Sequence, residues 1–107
     1  MPDRSPDRPP LISDFATDPE MRDLVMEFVA EMPGHVRELH EAWERHERDT
    51  LVRLAHQLKG CCASYGFEPI GDAAARLEAG LKQATATLEG LTREFQDLTD
   101  LCSRAAA

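Results

Sequence analysis

An all-α fold, an antiparallel four-helix bundle with a short N-terminal helical turn, is what this sequence predicts, and three observations predict it. Apolar residues recur at i, i+3, i+4 spacing over four separate stretches. Aromatic residues make up only 6% of the chain and β-branched residues are few, which disfavours strands. Short connections join those stretches, as in an antiparallel bundle. At 107 residues the chain holds one domain.

Residues 1–10 carry four of the seven prolines, interleaved with Asp and Arg, and are expected to be a flexible leader. Leu11, Ile12 and Phe15 form a short apolar cluster expected to make one helical turn over the bundle end. Asp18-Pro19-Glu20 reads as a helix start, with a capping acceptor, a proline at the first helical position and an acid in the first turn. Met21, Leu24, Val25, Phe28, Val29 and Met32 form its stripe. Pro33-Gly34 interrupts the pattern, and Val36, Leu39 and Trp43 resume it, so one bent arm ending near Glu47 is expected.

Asp49 is a plausible cap for a second helix from about Thr50, with the stripe Leu51, Leu54, Ala55, Leu58, Cys61, Cys62 and Tyr65. Gly66 ends or bends it. Glu68-Pro69 opens a third helix bearing Ile70, Ala73, Ala74, Leu77 and Leu81, and a turn is expected between Gln83 and Thr87. Leu88, Leu91, Phe95, Leu98 and Cys102 mark the last helix. The bundle is thus placed at 11–104, the segment from Ser103 is expected to fray, and 105–107 form the tail.

Charge and cysteine usage exclude several functions. Twelve Lys and Arg against twenty Asp and Glu give a net charge of −8, which repels phosphate backbones and anionic membranes. No window approaches the roughly 18–20 apolar residues of a membrane span. The N-terminus lacks the apolar stretch of an export signal, so a cytoplasmic address is expected. Cys61, Cys62 and Cys102 lack metal-site spacing and are expected to be reduced, small apolar fillers.

One residue breaks the helical pattern usefully. On a wheel of about 100° per residue, His56 falls roughly 160° from the apolar stripe centred on Ala55 and Leu58. Its wheel neighbours are Val52, Arg53, Lys59, Gly60 and Ala63. A glycine inside a helix costs about 0.5–1 kcal/mol relative to alanine, so Gly60 beside His56 suggests that something must approach the ring. Ala63 keeps the next turn low, and Lys59 and Arg53 can flank a doubly charged phosphoryl group. Neutral imidazole offers a free ring nitrogen that attacks phosphorus without an activated hydroxyl. Phosphoryl transfer then needs mainly positioning and charge neutralisation.

The run Ala55-His56-Gln57-Leu58-Lys59-Gly60, followed by Cys61-Cys62-Ala63-Ser64-Tyr65-Gly66, resembles histidine-containing phosphotransfer (HPt) domains. The shared pattern is a histidine, a lysine three on, a glycine four on and a second glycine ten on, with Arg76-Leu77-Glu78 similar to the family's segment on the next helix. The likeness spans 11–104 in helix layout and is sharp across 51–78. It implies a four-helix bundle and a phosphorelay intermediate that is a carrier without autokinase activity. His56 would be the phosphoacceptor, Lys59 the phosphate-facing cation and Gly60 the clearance residue, with Gly66 structural. Val52, Arg53, Gln57, Ala63, Glu78 and Lys82 would face the partner. Implied partners are a response-regulator receiver domain, whose aspartate exchanges the group, and a sensor histidine kinase, hybrid or separate. The chain itself would bind no cofactor or metal, Mg²⁺ belonging to the receiver, and would act as a monomer without nucleic acid or membrane. The Tyr65-Gly66-Phe67 wording is also similar to the phosphoacceptor domain of chemotaxis kinases.

His35, His40 and His46 lie in the charged arm at spacings of five and six, off any common face, and are expected to be solvated. The Glu-x-x-His pairs of di-iron bundles are absent from the sequence, as are nucleotide-binding glycine loops. The rival to the carrier reading is a helical adaptor whose His56 is never phosphorylated. A metal-binding bundle stands third.

Overall fold

The structure, a computed structural model, describes residues 9–106, so most of the expected leader lies outside the described residues. Four helices make up the body: α1 (Arg22–Glu44), α2 (Arg48–Ser64), α3 (Glu68–Leu81) and α4 (Thr92–Arg104), with a short 3-10 turn, Glu89–Leu91, leading into α4.

The chain enters α1 in two stages. Asp18 Oδ1 accepts the Glu20 N–H at 2.9 Å, and its carbonyl accepts the Arg22 N–H at 2.9 Å, after which regular helix begins. Pro33 and Gly34 lie inside α1, which runs unbroken through them instead of restarting. A helix-interior proline costs about 3 kcal/mol, yet Val25, Phe28, Met32 and Leu39 are all buried along α1. At roughly 1.5–3 kcal/mol for each buried side chain, packing outweighs the lost backbone bond. The α1–α2 turn closes through a left-handed residue, His46 (φ 58°). The His46 N–H donates to Trp43 O and the Glu47 N–H to Ala42 O, satisfying carbonyls that the helix end leaves open. α2 therefore starts at Arg48, and Asp49 sits in its first turn, favourable to the helix dipole, instead of capping it.

The α2–α3 turn repeats this device with Gly66 (φ 80°) in the left-handed position and the Phe67 N–H donating to Cys62 O at 2.8 Å. Here the N-terminal segment docks. The Ser13 hydroxyl, buried, donates to Tyr65 O at 2.6 Å, and the Asp14 N–H donates to Gly66 O at 2.9 Å. The expected helical turn at Leu11–Phe15 is thus replaced by extended chain followed by a turn. Leu11–Ile12 (β1) pairs in parallel with Ala105–Ala106 (β2), Leu11 opposite Ala105. This corrects the expectation that the segment from Ser103 frays. α4 continues to Arg104, and the next two residues satisfy the backbone groups of the N-terminal segment.

The core is one cluster built from all four helices, centred on Phe28, Leu39, Leu51, Leu58, Phe67, Leu77 and Leu98. Phe28 stacks on Tyr65 (centroids 4.7 Å apart) and Trp43 on Phe95 (4.2 Å), tying α1 to both ends of the bundle. Two stripe residues fall outside the core: Leu24 and Cys61 are exposed, each at the edge of a stripe narrower than the sequence spacing suggested. Of the three thiols only Cys62 and Cys102 are buried fillers, and burial is the main cause that pushes both up to about 12.

Candidate functional site

α2 and α3 pack more closely than any other pair. Gly71 lies in this contact: a Cβ there would meet the Lys59 carbonyl oxygen at 3.5 Å, an ordinary van der Waals distance. This approach lays the last turn of α3 against the middle of the outer face of α2. His56 projects there with two thirds of its side chain exposed (67%), as its wheel position requires. Around it lies a shallow open depression lined by Asp49, Val52, Arg53, Gln57, Glu78 and Lys82. Gly60 and Ala63 lie exposed further along the same helix.

The centre of the site is a carboxylate. Glu78 is buried, with 5% of its side chain exposed, and three groups converge on it. Lys82 Nζ lies 2.9 Å from Oε2, Lys59 Nζ 3.0 Å from Oε1, and His56 Nδ1 3.1 Å from Oε2. Hydrogen bonds from Lys82 first and Lys59 second hold the Glu78 carboxyl down at about 2, from an ordinary 4.5. It is therefore ionised across the physiological range and can only accept hydrogen bonds. The neighbouring His56 Nδ1 must be the donor. In the neutral ring that assigns the proton to Nδ1 and leaves the Nε2 lone pair bare.

The structure thus brings together His56, Lys59, Glu78 and Lys82, with Val52, Arg53 and Gln57 on the rim. Lys59 does not stand free beside the ring. It is paired with Glu78, and Lys82 is its counterpart on the other oxygen. The role of Glu78 as the hub of the cluster was not legible from spacing, because it depends on how two helices pack. The one available signal was an acid at the position of the similar segment on the following helix. Gly60 has nothing within 4 Å of where a Cβ would stand, so no intramolecular packing asks for a glycine there.

The remaining histidines are not all solvated. His46 is exposed, and His40, also exposed, sets its ring edge-on to Phe95 with centroids 5.2 Å apart. His35 is partly buried beside Phe28 and lines an apolar groove with Leu39, Leu54, Gln57 and Cys61. Among the described residues no group of three or more His, Cys, Asp or Glu side chains could hold a metal ion. Among them, too, no helix is long and apolar enough to cross a membrane.

No curated protein and no solved structure matches the chain. The family model described as Hpt domain, a family of histidine phosphotransfer modules in two-component signalling, matches residues 23–107, which takes in the helices from the second residue of α1 onward and the whole His56 cluster. The chain belongs to the Hpt domain family.

Proposed function

We propose that this chain is a phosphorelay intermediate that carries a phosphoryl group on His56 to and from the aspartate of response-regulator receiver domains. The observation that carries the reading is the exposed imidazole whose Nδ1 is tied to an ionised, buried Glu78. That bond directs the bare Nε2 outward and fixes the ring against rotation, which is the positioning that transfer needs.

In the forward step the Nε2 lone pair attacks the phosphorus of an aspartyl phosphate. A P–N bond forms as the P–O bond to the aspartate breaks, and the electron pair leaves with the carboxylate. The positive charge that develops on the ring is balanced by Glu78 through Nδ1–H. Lys59 and Lys82, both partly exposed, stand ready to shift towards the phosphoryl oxygens. Arg53 adds a further cation on the rim. Mg²⁺ held by the receiver supplies the remaining neutralisation. Return of the group reverses each step.

Val52, Arg53, Gln57 and Ala63 form the partner-facing surface, and the clearance at Gly60 lets the receiver's aspartate reach the ring. In this reading a sensor histidine kinase, hybrid or separate, is the ultimate phosphoryl source, and the chain acts as a cytoplasmic monomer. The tight turns joining α1 to α2 and α2 to α3 support an antiparallel bundle, with His56 near the middle of α2.

The test is to mix the protein with a receiver domain bearing labelled aspartyl phosphate and Mg²⁺. Acid-labile label should appear on the wild type and be absent from His56→Gln. Label that persists in His56→Gln would move the site elsewhere, and no label from several receivers would favour an adaptor.

A further inference from the structure

The last turn of α3, which carries Glu78 and Lys82 to His56, is weakly built by its own sequence. It contains Gly80, and it has no basic residue of its own to meet the carbonyls that a helix C-terminus leaves open. The residues that follow, 82–85, are exposed. Local backbone bonds close two carbonyls of this helix end, from the Lys82 N–H to Glu78 O and from the Gln83 N–H to Gly80 O, and a further grip comes from another helix. Arg48, the first residue of α2, sends its guanidinium across to α3, where Nη1 donates to Leu81 O at 2.5 Å and Nη2 donates to Ala86 O. One planar fork thus closes the final carbonyl of α3 and fastens the returning loop.

The next residue after Leu81 is Lys82, whose Nζ bonds Glu78 Oε2, the oxygen that lies against His56 Nδ1. Arg48 does not line the depression around His56. Its action on the ring has to pass through the turn it holds.

We propose that Arg48 is a positioning residue for His56: by clamping Leu81 and Ala86 it sets the register of the Glu78–Lys82 turn against α2, and so fixes which ring nitrogen of His56 carries the proton. The inference rests on the carrier reading for its biological meaning, but its physical content concerns the ring alone. Loosening the clamp lets the turn drift from the ring, and a hydrogen bond already at 3.1 Å has little room to lengthen before it is lost. A lysine at this position keeps the charge but grips one carbonyl instead of two.

The experiment is long-range ¹⁵N–¹H NMR of the His56 ring in the intact chain, comparing wild type, Arg48→Gln and Arg48→Lys, with Glu78→Gln as the reference for a lost acceptor. Alongside it, the rate of His56 phosphorylation is measured with phosphoramidate, which needs no partner protein. Arg48→Gln is expected to lower the Nδ1–H tautomer share towards the Glu78→Gln value and to slow phosphorylation about three- to tenfold, the scale of a small misplacement of a reacting group. Arg48→Lys should lie between Arg48→Gln and wild type in both. A merely structural role would lower the melting temperature and leave tautomer and rate at wild-type values; that result in folded Arg48→Gln overturns the proposal. If Arg48→Gln does not fold, Arg48→Lys decides, and wild-type tautomer and rate in that variant overturn it equally. Failure of any receiver to label wild-type His56 would sink the carrier reading, while the ring comparison would still decide the role of Arg48.

Discussion

The two glycines that follow His56, one inside α2 and one in the turn after it, sit in opposite surroundings. At Gly66 the chain turns through φ 80°, and a Cβ would stand 2.7 Å from Ser13 Oγ and 2.9 Å from the Asp14 backbone nitrogen. The reason for that glycine lies inside the molecule: the α2–α3 turn and the docked N-terminal segment leave no room. At Gly60 a Cβ would meet nothing within 4 Å. Nothing within the fold asks for that glycine, although it weakens an interior turn of α2. The difference separates a residue that builds the bundle from one that the fold does not require, and under the proposed carrier role that second glycine gives clearance to an approaching receiver.

Substitutions at the two positions should therefore fail in different assays. Gly66→Ala combines left-handed strain of roughly 1–2 kcal/mol with overlap against backbone, and it should lower unfolding free energy by about 3 kcal/mol in denaturant titration. Gly60→Leu should leave stability unchanged or raise it by about 0.5 kcal/mol. It should nevertheless slow transfer from a phosphorylated receiver by about tenfold or more, as expected when a bulky side chain blocks a close approach. An unchanged transfer rate would remove the clearance argument, and a strongly destabilised Gly60→Leu would erase the contrast.

A smaller effect sharpens the comparison from the side of the site. Glu78 has a folded pKa of about 2, below the ordinary 4.5. A carboxyl whose pKa is depressed on folding contributes stability that is fully present above the unfolded value and is lost as pH falls through the folded one. The wild type should thus lose part of its stability between about pH 4.5 and pH 2, whereas Glu78→Gln should lack that component of the acid profile. Parallel acid profiles for the two proteins would mean that the lysine cluster does not hold the carboxylate as the geometry requires.

The helix layout was legible because each helix shows a stripe on one side, and the exposure of His56 followed from its angle to Ala55 and Leu58. What stayed hidden depends on residues distant in sequence. The hub role of Glu78 needs α3 to pack beside the outer face of α2, where His56 and Lys59 stand, and no periodicity encodes which helices pair. The pairing of Leu11–Ile12 with Ala105–Ala106 joins two segments too short and too weakly patterned to read as strands. Periodicity also overstated the core, since Leu24 and Cys61 fit the spacing but stand at stripe edges that no neighbouring helix covers. Pro33 left open in the sequence whether the arm is continuous, and the structure carries the helix through it. Its local preference for a break gives way to the apolar side chains packed on both sides of it.

The central claim is that Glu78 holds the proton on Nδ1 so that Nε2 is the nitrogen that meets phosphorus. Heteronuclear NMR of the ¹⁵N-labelled, phosphorylated protein reads the attachment point directly through the ³¹P–¹⁵N coupling. The phosphoryl group should be bonded to Nε2 of His56, with the proton still on Nδ1. A phosphoryl group on Nδ1 would contradict the account, because that nitrogen could not then donate to Glu78.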